Sequence, residues 1–281
     1  MLKTVRTVAD LRAQVAAWKA AGARVSMVPT MGALHEGHLS LVRLGKARAD
    51  RVVASIFVNP TQFAPHEDFD AYPRREARDA ELLEGVGCDL LYAPAAAEMY
   101  PEGFATSVTV TGVSEPLDGQ ARPHHFGGVA TVVTKLLTQC GPDIAIFGEK
   151  DYQQLLVIKR LARDLDLPVE IVGGPTARDT DGLALSSRNA YLSPDERKIA
   201  SALPAALKAA AQSIAAGESV AEAENRAIAQ LHAAGFAKVD YVEVRHADTL
   251  ARLGPGGAGQ NARIFVAAWL GKTRLIDNMA V

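Results

Sequence analysis

Short apolar runs alternate with longer segments of helical periodicity over the first two thirds of this chain, and that alternation narrows the architecture more than any other feature. Val25-Ser26-Met27-Val28 reads as a buried strand, closed by Pro29, which cannot donate to a sheet ladder. Residues 51–58 form a run rich in β-branched residues that stops at Asn59-Pro60. Further strands are predicted over 89–92, 107–111, 144–147 and 169–172. Helices are predicted over 8–21, from about His35 onward, and over 74–84, 128–139 and 152–164. Strands and helices of these lengths imply βαβ units and a parallel sheet covered on both faces. The predicted fold class is therefore α/β, a Rossmann-like doubly wound parallel sheet. In such sheets ligands sit at the carboxyl ends of the strands, so the residues just after each strand are the candidates for function.

The pattern changes at Gly173-Gly174-Pro175. A polar loop over 176–189 leads to Ala-rich helices over 194–216 and 219–234. The runs 241–244 and 264–270 and the tail to Val281 then suggest a small antiparallel sheet, and 250–262 reads as a flexible surface loop. Two domains are expected, 1–175 and a smaller C-terminal α+β lid over 176–281. With 30 basic and 32 acidic residues among 281, the chain has no electrostatic footprint for nucleic acid. No apolar run approaches the roughly 18 residues of a membrane span. Residues 1–21 carry charges throughout and are not expected to be a secretory signal. Cys88 and Cys140 lie far apart and are read as buried free thiols in a reducing cytoplasm.

Four segments after apolar runs carry concentrated polarity. The first, Pro29-Thr30-Met31-Gly32-Ala33-Leu34-His35-Glu36-Gly37-His38, joins a strand to a helix N-terminus, where unpaired backbone N–H groups and the macrodipole favour an anion. His35 and His38 share one face of that first turn, and Gly37 permits close approach of a ring or phosphate. The same spacing could serve a metal or leave two solvated imidazoles, but no nearby Cys/His cluster supplies the other ligands of a zinc site. The second, Asn59-Pro60-Thr61-Gln62-Phe63, offers two side-chain amides to a polar substrate and taken alone is an ordinary Asn-Pro turn. The third, Phe147-Gly148-Glu149-Lys150-Asp151-Tyr152-Gln153-Gln154, sets a lysine at the start of a helix, a point charge for phosphate or a solvated surface group. The fourth, Asp181-Gly182-Leu183-Ala184-Leu185-Ser186-Ser187-Arg188-Asn189, is a common surface string that also groups two hydroxyls and a guanidinium on a loop able to close as a lid. Each segment alone is a weak signal; taken together, in this order on this architecture, the four are a strong one.

The first segment resembles the His-x-Gly-His signature of the nucleotidyltransferase superfamily, which includes class I aminoacyl-tRNA synthetases, and Leu185 to Arg188 stands where those enzymes keep their mobile Lys-Met-Ser-Lys-Ser-type loop. All four segments together, in order and across nearly the whole chain, resemble the pantoate–β-alanine ligase family, with Leu185 where a methionine is common. That resemblance implies an ATP-dependent condensation of pantoate with β-alanine through a pantoyl adenylate, with ATP and Mg²⁺ taking part. It implies that Met31, Gly32, Ala33, Leu34, His35, Glu36, Gly37 and His38 frame ATP, with His38 as proton donor and His35 its partner on the phosphates. It further implies ATP contacts from Gly148, Glu149, Lys150, Asp151, Ala177, Leu185, Ser186, Ser187 and Arg188, with Lys150 and Arg188 among the catalytic groups. Gln62 and Gln154 would hold pantoate, Gln62 would also face β-alanine, and Asn59 and Tyr72 would be lesser contacts. No protein metal ligands are assigned, since Mg²⁺ would sit mainly on the ATP phosphates, and a cytoplasmic homodimer is expected. The rival readings are a nucleotidyltransferase acting on a phosphorylated acceptor, which would want more basic residues, and a nucleotide sensor without turnover. A tRNA synthetase is disfavoured for so short and acidic a chain.

Overall fold

The computed structural model describes residues 1–63, 69–254, 259 and 261–281. Its elements run β1 (Thr4–Val5), α1 (Val8–Ala20), β2 (Val25–Thr30), α2 (Glu36–Arg48), β3 (Arg51–Ile56), a 3₁₀ turn (Pro60–Gln62), α3 (Glu76–Gly85), β4 (Leu90–Tyr92), α4 (Ala96–Met99), α5 (Asp118–Ala121), α6 (His125–Cys140) and β5 (Ile144–Gly148). They continue through a 3₁₀ turn (Glu149–Asp151), α7 (Tyr152–Asp164), β6 (Glu170–Gly174), a third 3₁₀ turn (Ser187–Tyr191), α8 (Pro194–Ala200), α9 (Ala202–Ala215), α10 (Val220–Ala234), β7 (Lys238–His246), β8 (Ala262–Leu270) and β9 (Thr273–Ala280).

The chain divides into two compact units. The first comprises Met1–Glu149 with Gln153–Pro175, and the second comprises Lys150–Tyr152 with Thr176–Val281. In the first, six parallel strands lie in the order β1-β4-β3-β2-β5-β6. Side chains alternate across the sheet with the period of two that strands impose. Val25, Met27 and Val53 enter one core with Leu11 and Val15 of α1, Val129 and Val133 of α6, and Ile158 of α7. Val28, Val52 and Ala54 enter the other with Leu41 and Val42 of α2 and Leu83 of α3. Helices thus cover both faces, the doubly wound arrangement expected for near-continuous apolar strands. Chain order runs outward in opposite directions from the β2–β5 pair, so the crevice beyond the carboxyl ends of these two strands is the topological switch point. Thr30 and Gly148 end those strands, and two of the four polar segments continue from there.

The second unit pairs β7, β8 and β9 in an antiparallel sheet. One face of this sheet packs on α9 and α10, where Leu203, Leu207, Ala223, Ala227 and Leu231 meet Val242, Val244, Ile264 and Val266. Among the described residues no helix is long and apolar enough to cross a membrane. Cys88 and Cys140 are buried and unpaired. Burial pushes their thiols up to about 11 and about 12.

Several expectations are corrected. Residues 107–111 form no strand: they run mostly exposed, and the Val108 amide donates to Thr131 Oγ1 of α6 at 2.9 Å instead of to a sheet neighbour. Their alternation of Val with Ser and Thr imitates a half-buried strand, but the sheet edge is taken by the two-residue β1. The helix predicted from Gly128 begins at His125, because α6 tolerates Gly127 and Gly128 in its first turn. The helix predicted from 74 begins at Glu76, after Pro73 has stopped the preceding chain. The helical stretch 194–216 breaks at Ser201 into two helices, and β7, β8 and β9 are longer than the apolar runs that announced them. Of the predicted loop 250–262, residues 255–258 and 260 lie outside the described residues.

Gly128 has a packing reason. A Cβ there would stand 2.4 Å from the Thr61 carbonyl oxygen and 2.7 Å from the Gln62 amide nitrogen, so α6 and the Pro60–Gln62 turn touch backbone to backbone. Gly127, one residue earlier, would meet nothing within 4 Å. Gly128→Ala is expected to destabilise the chain by about 1–3 kcal/mol through overpacking. Gly127→Ala should be neutral or stabilising by up to about 1 kcal/mol. Urea unfolding of the two variants side by side measures the difference, and equal stabilities would refute the close contact.

Candidate active site

The chain leaves β2 through a turn built on one threonine and one distant carboxylate. Thr30 Oγ1 donates to the Ser55 carbonyl at 2.6 Å and accepts from the Gly32 amide at 3.1 Å. Gly32 and Ala33 then take positive φ values of 84° and 51°, a conformation routine for glycine and uncommon for alanine. This reversal aims the amides of Ala33 and Leu34 at the two oxygens of Asp79, each at 2.9 Å. Asp79 sits on α3 and is 1% exposed. Burial raises its pKa above the usual carboxylate range, and the two amide bonds, with more distant help from Arg78 and Arg75, oppose that rise.

His35 follows as the N-cap of α2, with extended backbone. Its Nδ1 accepts from the Gly37 amide at 3.1 Å, while Nδ1 of His38 accepts from the His35 amide at 3.3 Å. The two rings lie 4.1 Å apart at 41°. Two imidazoles therefore act here as the Ser/Glu pair does in an ordinary capping box. An Nδ1 that accepts obliges the neutral ring to carry its proton on Nε2. The cap thus fixes two N–H donors on the ring edges opposite the backbone. The expectation of unpaired backbone amides at this helix start is corrected: Ala33 and Leu34 donate to Asp79 of α3, and Gly32, His35, Gly37, His38 and Leu39 spend their N–H groups within the turn.

Gln62 belongs to the same unit and is held on every polar atom of its side chain. Its Oε1 accepts from Asn59 Nδ2 at 3.2 Å, and its Nε2 lies 3.0 Å from the Met31 thioether. Its carbonyl faces His125 Nδ1 at 3.1 Å and accepts from Arg122 at 3.4 Å. Asn59 is 1% exposed, and its Oδ1 accepts from the Thr61 amide, the Thr61 hydroxyl and the Tyr100 hydroxyl, the last at 2.8 Å. Asn59 is therefore a support that orients Gln62, and Met31 and Gln62 are brought together. Tyr72 is buried, with its ring edge-on to Phe63 at 6.1 Å. The two glutamines of α7 separate in role. Gln153 is buried and ties down Val113, Pro116 and Asp118, whereas Gln154 beside it is half-buried. Gly148 and Glu149, also of this unit, are half-buried at the end of β5. Asp79, Tyr100, Arg122 and His125 escaped the sequence reading; the polar run Arg122-Pro123-His124-His125 directly before an apolar helix was the available signal.

The second unit carries the remaining candidates. Lys150 keeps 17% of its side chain exposed, with Nζ 3.7 Å from the carboxylate of exposed Asp151. Ala177 and Leu185 face each other across a small hairpin, the Leu185 amide donating to the Ala177 carbonyl at 2.9 Å, with Arg178 and Ala184 bridged beside them. Ser186 caps the following 3₁₀ turn, its Oγ accepting from the Arg188 amide at 3.3 Å, and Ser187 and Arg188 lie in that turn. The base of the loop is pinned by charge. Arg197 binds Asp179 at 2.7 Å and Asp181 at 2.5 Å, and holds both carboxyls below their usual range. Arg178 binds the buried Asp277 through both terminal nitrogens, at 2.7 and 2.9 Å. Among the described residues no group of three or more His, Cys, Asp or Glu side chains is arranged to hold a metal ion.

The family model described as pantoate-beta-alanine ligase matches residues 3–280. The pantothenate synthetase of Caulobacter vibrioides is 69% identical over 278 residues, which cover 99% of this chain and 98% of the relative. The crystal structure of pantothenate synthetase from Thermus thermophilus superposes with a TM-score of 0.92 at 50% identity, over 99% of each chain. The pantoate-beta-alanine ligase of Francisella tularensis, solved in complex with beta-gamma ATP and β-alanine, superposes with a TM-score of 0.84 at 33% identity, over 100% of this chain and 98% of that one. With its motifs at the ends of the expected strands and its similarity running from end to end, the chain belongs to the pantoate–β-alanine ligase family.

Proposed function

We propose that this chain joins pantoate to β-alanine at the expense of ATP, through a pantoyl adenylate, and releases AMP and pyrophosphate. The observation that carries the reading is the reciprocal histidine cap at the switch point of the sheet, linked through Met31 to the clamped amide of Gln62. Fixed donors of this kind suit phosphate oxygens, and a fixed amide suits a hydroxylated carboxylate.

In the first step a pantoate carboxylate oxygen attacks the α-phosphorus, the bond to the bridging oxygen of pyrophosphate breaks, and charge grows on the phosphate oxygens. The Nε2–H groups of His35 and His38 meet that charge, with His38 as the proton donor. Lys150, Ser186, Ser187 and Arg188 hold the triphosphate. The nucleotide is framed by Met31 to Leu34, Glu36, Gly37, Gly148 to Asp151, Ala177 and Leu185. Gln62 and Gln154 hold pantoate, Gln62 also faces β-alanine, and Tyr72 walls the site. Mg²⁺ held by the ATP phosphate oxygens, with no side chain of this chain assigned to it, would supply charge neutralisation for the leaving pyrophosphate.

In the second step the β-alanine amine attacks the acyl carbon, and AMP leaves with the bonding electrons. No enzyme nucleophile is required, in keeping with two thiols that burial holds protonated, at about 11 and about 12. The mixed anhydride hydrolyses in water, so the second unit serves as a cover while it persists. A cytoplasmic homodimer belongs to the same proposal, and sedimentation equilibrium reads its mass directly.

Pyrophosphate release is expected to depend on pantoate, and free AMP to appear only together with the completed amide. Release without pantoate, or AMP left on a phosphorylated acceptor, would favour a nucleotidyltransferase instead. Lys150→Ala and His38→Ala should each slow adenylation by roughly 10²–10³, the range for losing one preorganised charge-stabilising donor. Single-turnover pyrophosphate release measures both, and near-normal turnover in either removes that residue from its role.

A further inference from the structure

Asn278 is an unexpected residue for the middle of an edge strand. Asparagine is depleted in sheets, and this one is only 3% exposed. Its side-chain amide is used from both ends. Oδ1 accepts from Arg263 of β8, and Nδ2 donates to the backbone carbonyl of Lys150 at 2.8 Å. The segment that Lys150 opens is gripped a second time two residues later. Arg263 stacks its guanidinium over the Tyr152 ring, 4.0 Å from the centroid, and Phe265 packs on that ring at 6.0 Å. Phe265 is also the register partner of Asn278 across β8 and β9. Among the described residues Arg263 Nε is buried without a hydrogen-bond acceptor, while the guanidinium stacks on Tyr152 and donates to Asn278.

The neighbouring residue does the same for the other half of the phosphate-binding set. Asp277 takes both terminal nitrogens of Arg178, at the root of the loop that ends in Ser186, Ser187 and Arg188. The Asn278 amide itself donates to Asp277 Oδ1 at 2.8 Å. Two adjacent residues of one strand thereby register Lys150 and the serine-arginine loop against each other.

We propose that Asn278 is a positioning residue for Lys150: it holds the lysine backbone on β9, and so sets where the ammonium meets the ATP phosphates. The inference rests on the reading of Lys150 as a triphosphate ligand, and it adds a residue that touches neither substrate nor reacting atom. A misplacement of about 1 Å in such a group can cost as much as 10²-fold in rate.

The test is a double-mutant cycle on the full-length chain, read as the dependence of pyrophosphate release on ATP concentration. Asn278→Ala and Asn278→Thr, the latter chosen because a β-branched residue suits a strand, should lower kcat/KM for ATP by roughly 10–100-fold and leave the KM for pantoate unchanged. Tyr152→Leu removes the ring under Arg263 without altering β9, and should give a smaller loss of the same kind. In a Lys150→Ala background none of these substitutions should add a further loss, because each acts through the lysine. Equal losses in both backgrounds would make Asn278 a merely structural residue and overturn the proposal. So would full activity of a folded Asn278 variant or of Tyr152→Leu. Should Lys150→Ala itself turn over normally, the assignment of the lysine fails and the inference falls with it, a pattern distinct from an inactive Lys150→Ala beside an active Asn278→Ala.

Discussion

One buried carboxylate decides whether the first segment can have its observed shape. Two consecutive residues in the left-handed region, one of them an alanine, do not persist in a turn unless something collects the amides they expose. Thr30 Oγ1 collects that of Gly32, and Asp79 collects those of Ala33 and of Leu34 after it, at 2.9 Å each. Asp79 does so at the expense of its own solvation, with no cation in direct contact to offset the loss, which is why its pKa stands above the ordinary range. Everything downstream depends on this exchange. The turn delivers His35 to the N-cap in an extended conformation, and the cap fixes both imidazoles.

The contrast with glycine-rich phosphate loops is instructive. There, successive backbone N–H groups form the anion cradle. Here the backbone amides are consumed by Thr30, Asp79, His35 and His38, so they form no such cradle. Side chains bring a sensitivity that amides lack. An imidazolium carries a proton on Nδ1 and cannot accept from Gly37 or from the His35 amide, so charging either ring breaks the helix cap as well as altering the donor set.

The sheet and its order of connections were legible because parallel strands buried on both faces leave uninterrupted apolar runs, and because Pro29 and Asn59-Pro60 mark where two of them stop. The His35–His38 turn and the 185–188 loop were legible as motifs. Four things were not. The Ser107–Thr111 alternation carries strand periodicity without a partner edge, and periodicity does not report partners. Asp79, in a charged helix, reads as solvent-facing, since nothing local says that its carboxylate turns inward to residues 45 and 46 positions away. The acceptor of Asn59, expected as a lesser substrate contact, is filled by Thr61 and by Tyr100, 41 residues on, and the second partner is not visible from the local pattern. Asn278 sits among the residues of a sheet whose boundaries the apolar pattern underestimates. In each case the deciding contact is distant in sequence and polar, whereas pattern reading recovers contacts that are local or apolar.

The division of the chain is not a single cut. Residues 150–152 leave the six-stranded unit after β5, join the three-stranded one, and the chain returns at Gln153. A protein severed after Pro175 would keep its parallel sheet and both histidines, yet its one lysine at the end of β5 would stand on a backbone stripped of Asn278, Arg263 and Phe265. Under the proposed role of Lys150, exchange of the C-terminal portion between relatives would have to carry residues 150–152 and their contacts to Asn278, Arg263 and Phe265 along with it.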